Sequence, residues 1–375
     1  MFDYLVVGGG FSGCVLAERL ATQLDKNVLI VERRDHIGGN AYDYFDEHGI
    51  LVHKYGPHIL HTNSKRVWDY LSKFTDWRSY NHKVLAAVDG VLVPVPFNLN
   101  SIKMLFPPQY AVKIEKLLID HFGYEKKIPI LQMRESTSGE LRRLADFVYD
   151  KIFYGYTTKQ WGVKPEDLDS SVTARVPVLI GNDNRYFQDV YQGLPLNGYT
   201  AMFKKMIDDR RIRVLLNTDY KSAVEGLNFD KMIYTGPIDY FFDYVYGELP
   251  YRSLKFDFKT YQQEHLQHVG TVNYPNEHDY TRITEYKYLT GQESNVTSVT
   301  MEYAQPYLNG VNEPYYPIPR DENAALYEKY ARSAAKLNGA VRFVGRLANY
   351  KYYNMDQIVA RALSVFEKEI CRVNG

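Results

Sequence analysis

Cysteine is scarce in this chain of 375 residues, which contains only Cys14 and Cys371. Two cysteines are too few for a disulfide framework or for a four-cysteine zinc site, so the sequence excludes both. Cys14 follows the last glycine of a glycine-rich turn at the start of an apolar helix, which favours a packing role over redox chemistry.

Neither sign of charge is in excess, because 45 Lys and Arg residues balance 45 Asp and Glu residues. A chain without net charge has no long-range field for nucleic acid or an anionic membrane, so anionic ligands must be held by individual arginines. The sequence also lacks an apolar run near the roughly 18 to 20 residues that cross a bilayer, and Met1 leads directly into an apolar strand. We expect a cytoplasmic protein without a membrane span.

The first thirteen residues read as an apolar strand that runs into a glycine-rich turn and a helix. Gly8, Gly10 and Gly13 have the G-x-G-x-x-G spacing of dinucleotide-binding proteins, in which the backbone approaches a pyrophosphate at a helix N-terminus. A second strand, Asn27–Glu32, ends on the acid expected at an adenosine ribose. Both halves of the motif are present, which disfavours a glycine turn that binds nothing.

A second glycine turn, Gly38-Gly39, follows this acid and is typical of FAD proteins rather than nicotinamide dehydrogenases. No second G-x-G-x-x-G occurs, so no separate nicotinamide domain is expected. Lys231–Gly236 and Val341–Arg346 read as later strands of the same domain, and Met355–Glu369 has helical spacing. The fold class is therefore α/β, with a Rossmann-like FAD-binding domain that resembles the glutathione-reductase and amine-oxidase type.

Two insertions of different character interrupt this domain. Gln109–Phe122 and Ser138–Ile152 have helical patterns, whereas residues 242–319 carry short alternating aromatic strands typical of an antiparallel sheet. The expected divisions are an FAD-binding domain (1–79, 196–241 and 320–375), a helical domain with a mobile substrate loop (102–181) and an antiparallel sheet domain (80–101, 182–195 and 242–319).

Tyrosine is abundant, with 34 residues, and suits surfaces that stack on bases and donate to phosphate. The run Phe153–Gly162 combines aromatics with Trp161, and Arg175 and Tyr186 follow. These residue types are what a nucleotide-sugar site requires. From spacing alone, packing aromatics beside a solvated surface arginine are the favoured interpretation.

Three histidines, His53, His58 and His61, lie within nine positions. No carboxylate or cysteine stands beside them in a ligand pattern, so a zinc site is disfavoured and no metal is expected.

Seven motifs decide between these interpretations, because in this order they resemble the bacterial UDP-galactopyranose mutase family along nearly the whole chain. The motifs are Tyr55–Asn63, Pro96–Asn98, Gly155–Trp161, Tyr234–Asp239, Tyr280–Arg282, Glu313–Pro317 and Gly345–Leu347. The resemblance implies an isomerase, an intramolecular transferase that interconverts UDP-galactopyranose and UDP-galactofuranose for cell-surface polysaccharide biosynthesis. It also implies reduced FAD, a covalent adduct between the sugar anomeric carbon and flavin N5, no net redox, an external reductant such as NAD(P)H, and a homodimer.

The resemblance also implies roles for individual residues. Arg175 and Arg282 correspond to the arginines on the UDP diphosphate, and His58 and His61 to histidines beside the isoalloxazine ring, while His53 is structural. The substrate-binding set is Phe153, Tyr156 (on uracil), Thr157, Trp161 (on the sugar), Arg175, Tyr186, Asn81, Asn273, Arg282, Tyr316 and Tyr352. The cofactor-binding set is Gly8, Gly10, Phe11, Ser12, Gly13, Glu32, Arg33, Gly39, Asn40, His58, Ile59, Thr235, Gly236, Gly345, Arg346 and Met355.

One position departs from the family pattern: Asn354 follows Tyr352-Tyr353 where an aspartate is common. The amide keeps the shape and loses the charge, which places any carboxylate role there in doubt. Three alternatives remain open: a flavin oxidoreductase of the amine-oxidase type, a mutase that prefers another UDP-sugar, and a non-catalytic nucleotide-sugar binding protein.

Overall fold

The computed structural model describes residues 1–169 and 176–371. The chain divides into two compact units, the first formed by Met1–Ser79, Asp189–Tyr251 and Pro314–Gly375, the second by Tyr80–Gln188 and Arg252–Glu313. The finer division into three domains stays a prediction.

The strands are, in chain order, β1 (Phe2–Val7), β2 (Val28–Val31), β3 (Asp43–Phe45), β4 (Leu51–His53), β5 (Leu60–Thr62), β6 (Trp77–Ser79), β7 (Val84–Val88), β8 (Val91–Val95), β9 (Lys126–Ile128), β10 (Val178–Ile180), β11 (Tyr191–Pro195), β12 (Ile212–Leu215), β13 (Phe229–Tyr234), β14 (Tyr251–Tyr261), β15 (Thr271–Asn273), β16 (Arg282–Glu285), β17 (Thr297–Pro306), β18 (Tyr316–Pro317) and β19 (Val341–Phe343). The α-helices are α1 (Phe11–Leu24), α2 (Lys65–Leu71), α3 (Leu99–Leu105), α4 (Pro108–Phe122), α5 (Ile130–Arg134), α6 (Gly139–Val148), α7 (Gly155–Trp161), α8 (Tyr199–Met206), α9 (Tyr220–Val224), α10 (Ile238–Phe241), α11 (Tyr286–Thr290), α12 (Asp321–Ala335) and α13 (Met355–Val365).

The first unit is built on a parallel sheet with the strand order β12-β2-β1-β13-β19. Successive side chains of β1 enter opposite cores, since Val6 packs with α1 and α13, whereas Leu5 and Val7 pack with Tyr220 and Tyr234. A strand buried on both faces must be apolar throughout, which explains its continuous hydrophobic run. The predicted assembly of this sheet from separated segments is confirmed, because β13 and β19 join β1 from far along the chain.

The second unit contains a larger sheet in which β14, β17, β16, β15, β7 and β8 follow one another. Neighbouring strands pair antiparallel, as predicted, except that β15 pairs β7 in parallel. Helices α3 to α6 share one hydrophobic core with the β7–β8 hairpin, where Val84 and Val93 lie with Ile114 and Leu144. Helix α4 starts at Pro108, one residue before the predicted Gln109, and Ser138 caps α6 by accepting the Leu141 N–H.

Candidate functional site

The turn between β1 and α1 forms a concave backbone surface, here called the glycine cradle, in which a side chain at Gly8 or Gly13 would clash with neighbouring atoms. Gly8 has φ +102, and a Cβ there would lie 2.1 Å from Thr235 Oγ1. A Cβ on Gly13 would lie 1.9 Å from the Gly8 carbonyl oxygen, so any side chain at position 13 must displace the backbone. Gly345, with φ +148, faces Thr235 across the same turn. Three chain segments therefore meet here, and those that carry Gly8 and Gly345 approach Thr235 without side chains of their own. This arrangement fits the close approach of a dinucleotide pyrophosphate.

Helix α1 points its N-terminus into this cradle. Its N-cap is Gly10, which has no side chain to cap the first-turn N–H groups, and no acid stands in the first turn. Unsatisfied N–H groups and the positive end of the helix dipole favour a phosphate at this position. A Cβ on Gly39 would come within 3.0 Å of Gly10 Cα, so the second glycine turn closes on the first.

Glu32 follows β2 and is buried. Its carboxylate accepts the Gly9 N–H at 2.7 Å through Oε2 and the Arg34 N–H at 2.9 Å through Oε1. A carboxylate has about four lone-pair sites, so it retains capacity for ribose hydroxyls. The Glu32 carboxylate, as an acceptor for ribose hydroxyls, and the glycine cradle, as a site for the pyrophosphate, fit the adenosine half of FAD.

The remaining predicted cofactor residues lie in the first unit but differ in exposure. Phe11 places its ring in the core against Phe203, with ring centroids 4.7 Å apart, so only its backbone is left for a cofactor. Ser12 and Ile59 are buried, whereas Arg33 is exposed. The Arg34 guanidinium donates to Asn40 Oδ1 at 3.0 Å.

The histidine run is held by specific hydrogen bonds. His53 is buried, and its Nδ1 accepts the His58 N–H at 3.0 Å. Burial lowers the pKa of His53 to about 3, because the charged ring would be desolvated. The His61 Nδ1 lies 2.7 Å from Asp189 Oδ2. Within residues 1–169 and 176–371, no group of three or more His, Cys, Asp or Glu side chains is placed to hold a metal ion.

A second cluster in the first unit gathers Arg346 with Tyr316 and Tyr352. The guanidinium lies 5.4 Å and 5.7 Å from the centroids of these two rings, which themselves pack edge to face. Arg346 also donates to the carbonyl oxygens of Tyr315 and Tyr353, at 3.3 Å and 2.8 Å. Residues predicted for cofactor and substrate contact therefore lie side by side.

In the second unit, α7 carries three of the predicted substrate residues: Tyr156, Thr157 and Trp161. Gly155 starts the helix against the turn after β15, where a Cβ would lie 2.3 Å from Asn276 Oδ1 and 2.5 Å from the Pro275 carbonyl oxygen. Lys159 Nζ donates to the Tyr274 carbonyl oxygen at 2.9 Å and to that of His278. Phe153, by contrast, is buried in the core of this unit.

Arg252 fixes the other end of α7. Its Nε donates to the Gln160 carbonyl oxygen at 2.9 Å, and its Nη2 to that of Lys159 at 3.0 Å. These are two of the last carbonyls of the helix, which otherwise lack partners. Within the described chain no carboxylate pairs with Arg252, which is 8% exposed, and burial lowers the pKa of its guanidinium. The positive charge of Arg252 is therefore stabilised by the negative end of the α7 dipole.

Arg282 lies at the start of β16, opposite Asn273 of β15 and Glu302 of β17. Its Nε and Nη2 both donate to Glu302 Oε2, at 2.9 Å and 2.7 Å. The other Glu302 oxygen, Oε1, and Asn273 Oδ1 are buried and accept no hydrogen bond from any residue of the described part of the chain. Buried polar atoms of this kind call for a polar ligand or water.

The other predicted residues are dispersed. Arg175 lies outside the described residues. Asn81 is exposed, and the Tyr186 ring packs edge to face on Phe187, with centroids 4.8 Å apart. Asn354 forms the N-cap of α13 and its N–H donates to Gln357 Oε1 at 2.9 Å. Asparagine and aspartate serve equally well at an N-cap, so the departure from the family pattern keeps the helix start at which Met355 lies.

Sequence reasoning missed three residues that hold predicted site residues: Asp189, Arg252 and Glu302. Each acts on a residue distant in sequence, and none stands in a recognisable motif. An unexplained acid or base on a strand that pairs with a site strand is the signal that could have identified Glu302.

Comparison with known proteins bears on the whole chain. The family model for UDP-galactopyranose mutase matches residues 151–352, more than half of the chain, and a model for an NAD(P)-binding Rossmann-like domain matches residues 6–74. A probable UDP-galactopyranose mutase of Klebsiella pneumoniae is 38% identical over 99% of this chain and 95% of its own length. A dTDP-fucopyranose mutase of Escherichia coli is 34% identical over 97% of both chains.

The fold has a counterpart among solved structures. The crystal structure of a reduced UDP-galactopyranose mutase aligns with a TM-score of 0.73 at 16% identity, and the match covers 100% of this chain and 98% of that one. With the Rossmann-like match, this likeness confirms the predicted fold class. The identity over nearly full length goes further than fold, and the chain therefore belongs to the UDP-galactopyranose mutase family.

Proposed function

We propose that this protein is an FAD-dependent isomerase that interconverts UDP-galactopyranose and UDP-galactofuranose without net redox change. Family membership supports the reaction. The observation that carries the proposal is that the second unit joins α7, with its aromatic motif, to the sheet that bears Arg282, since α7 packs on β17 next to β16. Aromatic rings for a base and a sugar therefore share one unit with a cation for a diphosphate.

The cofactor proposed for the first unit is FAD in its reduced form. The glycine cradle, the uncapped α1 N-terminus and Glu32 fit its adenosine diphosphate part. Bound and reduced, FAD would supply a nucleophilic N5 for the sugar anomeric carbon with UDP as the leaving group, chemistry that requires no net transfer of electrons. An external reductant such as NAD(P)H would reduce the bound FAD. We also expect a homodimer.

The roles proposed for the chain are to bind and hold the leaving diphosphate. Arg282 and Arg175 offset its charge through charge-assisted hydrogen bonds, and Glu302 holds the Arg282 guanidinium in one orientation. Retaining UDP close to C1 allows it to recombine after the ring has opened and closed on another hydroxyl. His58 and His61 act on the cofactor side.

The decisive experiment is a reverse assay in which UDP-galactofuranose is incubated with dithionite-reduced holoprotein and UDP-galactopyranose is measured by chromatography. We expect turnover with reduced protein and little with oxidised protein. Arg282→Met should retain the flavin spectrum and lose at least about 100-fold in kcat/KM, since it removes the proposed charge-assisted contact between the guanidinium and the diphosphate. Equal turnover by oxidised protein contradicts the reduced-flavin part of the proposal, and unchanged turnover by Arg282→Met removes Arg282 from the site.

A second candidate substrate class follows from the dTDP-fucopyranose mutase relative. A dTDP-sugar lacks the ribose 2′-hydroxyl, and fucose lacks the 6-hydroxyl, so the two substrates differ in hydrogen-bonding groups that a site can select strongly. Assaying dTDP-fucofuranose, UDP-N-acetylgalactofuranose and UDP-galactofuranose in parallel ranks them by kcat/KM. Flavin oxidation that consumes a substrate stoichiometrically would instead favour an amine-oxidase type of oxidoreductase.

A further inference from the structure

His61 lies in β5, which pairs antiparallel with β11 in the first unit. The ladder ends at the pair Thr62 and Tyr191, just after His61 on one strand and just before Gln192 on the other. Asp189 precedes β11 and folds back over this end, so that its Oδ2 lies 2.7 Å from His61 Nδ1. Both side chains are largely covered, with 18% and 25% of their side-chain surface exposed. The contact therefore joins two chain segments more than a hundred residues apart.

The Asp189 carboxylate is itself fixed by its neighbours. Its Oδ1 accepts a hydrogen bond from Asn63 Nδ2 at 2.7 Å, and Asn63 Oδ1 accepts the Val190 N–H at 2.9 Å. The Gln192 side chain donates to the Asp189 carbonyl oxygen at 2.8 Å. Each carboxylate oxygen thus has its own partner, and the geometry leaves Oδ2 directed at one ring nitrogen of His61. A carboxylate held in this way can impose an orientation on the ring.

An ionised carboxylate only accepts hydrogen bonds, so a 2.7 Å contact requires the proton on His61 Nδ1. In the neutral ring Nε2 is then the nitrogen that carries the lone pair. We propose that Asp189 is a positioning residue that holds His61 as the Nδ1–H tautomer and fixes the plane of its ring. The mechanistic importance of this rests on the proposed function, in which His61 acts beside the cofactor.

Two neighbouring histidines, His53 and His58, provide internal references for the two neutral tautomers of the imidazole ring. His53 Nδ1 accepts the His58 N–H, so a neutral His53 must be the Nε2–H tautomer. His58 Nδ1 lies 2.8 Å from the Gly56 carbonyl oxygen, which only accepts, so His58 is the Nδ1–H tautomer. None of these contacts involves Asp189, so a change at position 189 that acts through the tautomer affects His61 and spares the other two rings.

The test is imidazole ¹⁵N nuclear magnetic resonance of the histidine-labelled holoprotein, with the His61 signals assigned by their loss in His61→Gln. We expect His61 in the wild type to show protonated Nδ1, matching His58. In Asp189→Asn, where the amide can donate to the ring, and in Asp189→Ala, we expect the His61 signals to move towards the Nε2–H pattern of His53. Asp189→Glu should restore part of the wild-type pattern. The matched control is Asp209→Asn, because the Asp209 carboxylate pairs with Arg211 in the same unit.

Activity gives a second, separable measurement. Loss of a residue that orients a functional histidine typically costs about 10 to 100-fold, so kcat of Asp189→Asn should fall by that factor while UDP affinity changes less than about threefold. Unchanged His61 signals in Asp189→Asn and Asp189→Ala overturn the inference, whatever the activity. A fall in UDP affinity with kcat unchanged also overturns it. If the wild type itself has no mutase turnover, the proposed function fails while the tautomer result still stands, so the two failures are distinguishable.

Discussion

Replacing Arg252 with methionine tests how α7, which carries predicted substrate residues, is held in place. The change removes two hydrogen bonds, to the carbonyl oxygens of Gln160 and Lys159, and one buried positive charge at the helix C-terminus. Methionine has a similar length and fills the space of the side chain without polar atoms. We therefore expect the effect to come from the lost contacts to α7 rather than from a cavity.

The magnitude follows from opposing terms. A hydrogen bond from a charged donor contributes about 1.5–3 kcal/mol, so two contribute about 3–6 kcal/mol. Against this, methionine removes the desolvation penalty of a guanidinium that is 8% exposed and has no carboxylate partner in the described chain, which is worth several kcal/mol. The net loss is then about 1–3 kcal/mol. Since α7 must be ordered to bind UDP in the proposed function, a loss of about 1–3 kcal/mol corresponds to about 5 to 150-fold weaker UDP binding.

Isothermal titration of UDP into the holoprotein measures this loss. Trp161 is the residue before the α7 C-cap and is 6% exposed, so it reports on the end of the helix. In a Trp68→Phe, Trp77→Phe background, Trp161 fluorescence should become more accessible to acrylamide when Arg252 is replaced. Arg252→Lys should fall between the wild type and Arg252→Met, because an ammonium group lacks the planar fork that reaches both carbonyl oxygens.

The matched control is Arg342→Met. Arg342 also donates to two carbonyl oxygens, those of Gly339 at 3.0 Å and Glu369 at 2.8 Å, but it lies in the first unit. Both variants should lower the melting temperature, and only Arg252→Met should weaken UDP binding and expose Trp161. If the two variants behave alike in all three measurements, Arg252 contributes general stability only and the reasoning about α7 is refuted.

Three further predictions follow from single contacts. Gly13→Ala should yield protein with less than a tenth of the wild-type flavin content by absorbance, because its Cβ would lie 1.9 Å from the Gly8 carbonyl oxygen; normal flavin content contradicts this. Burial depresses the folded-state pKa of His53 to about 3, so its contribution to stability is complete above about pH 6.5 and is lost as the pH falls towards 3, by at most about 5 kcal/mol. Chemical denaturation should show that the free energy of unfolding falls less steeply below about pH 6.5 in His53→Gln than in the wild type. Glu285→Gln should destabilise the second unit by about 2–4 kcal/mol in urea unfolding, since this buried carboxylate accepts from the Gln267 N–H and the Thr297 hydroxyl; a loss below about 1 kcal/mol contradicts it.

The part of the site that could be predicted from the sequence is the part encoded by local spacing. Gly8 and Gly13 lie five residues apart, and a Cβ at position 13 would clash with the Gly8 carbonyl oxygen. The spacing of the motif reflects this close approach. Glu32 was identifiable because β2 is short and apolar and ends at a fixed distance from the turn. Here strand, turn and helix are consecutive, so sequence order and spatial order coincide.

The residues that escaped prediction depend on pairing between distant segments. Glu302 reaches Arg282 only because β16 and β17 are neighbours in one register, and a shift of one residue would place the carboxylate on the opposite face of the sheet. Asp189 reaches His61 across a ladder between β5 and β11, and Arg252 reaches α7 from β14. The pattern of residues within one segment does not reveal how that segment aligns with a distant strand. Composition and spacing alone therefore cannot identify these partners.

The chain has no net charge, yet the proposed diphosphate site requires cations. The distant partners described above show how both can hold. A chain with equal numbers of acids and bases can still present cations locally, provided that some of them bind carbonyl oxygens rather than carboxylates. Arg252 and Lys159 do this at α7, where burial lowers the pKa of both because their charges are partly desolvated. Arg282 is the exception, and its partner Glu302 has one oxygen without a hydrogen bond from the described residues. Lys159 and Arg252 therefore place positive charge at α7 with carbonyl oxygens as hydrogen-bond partners, while Asp279 and Glu277 interact with Lys159 electrostatically.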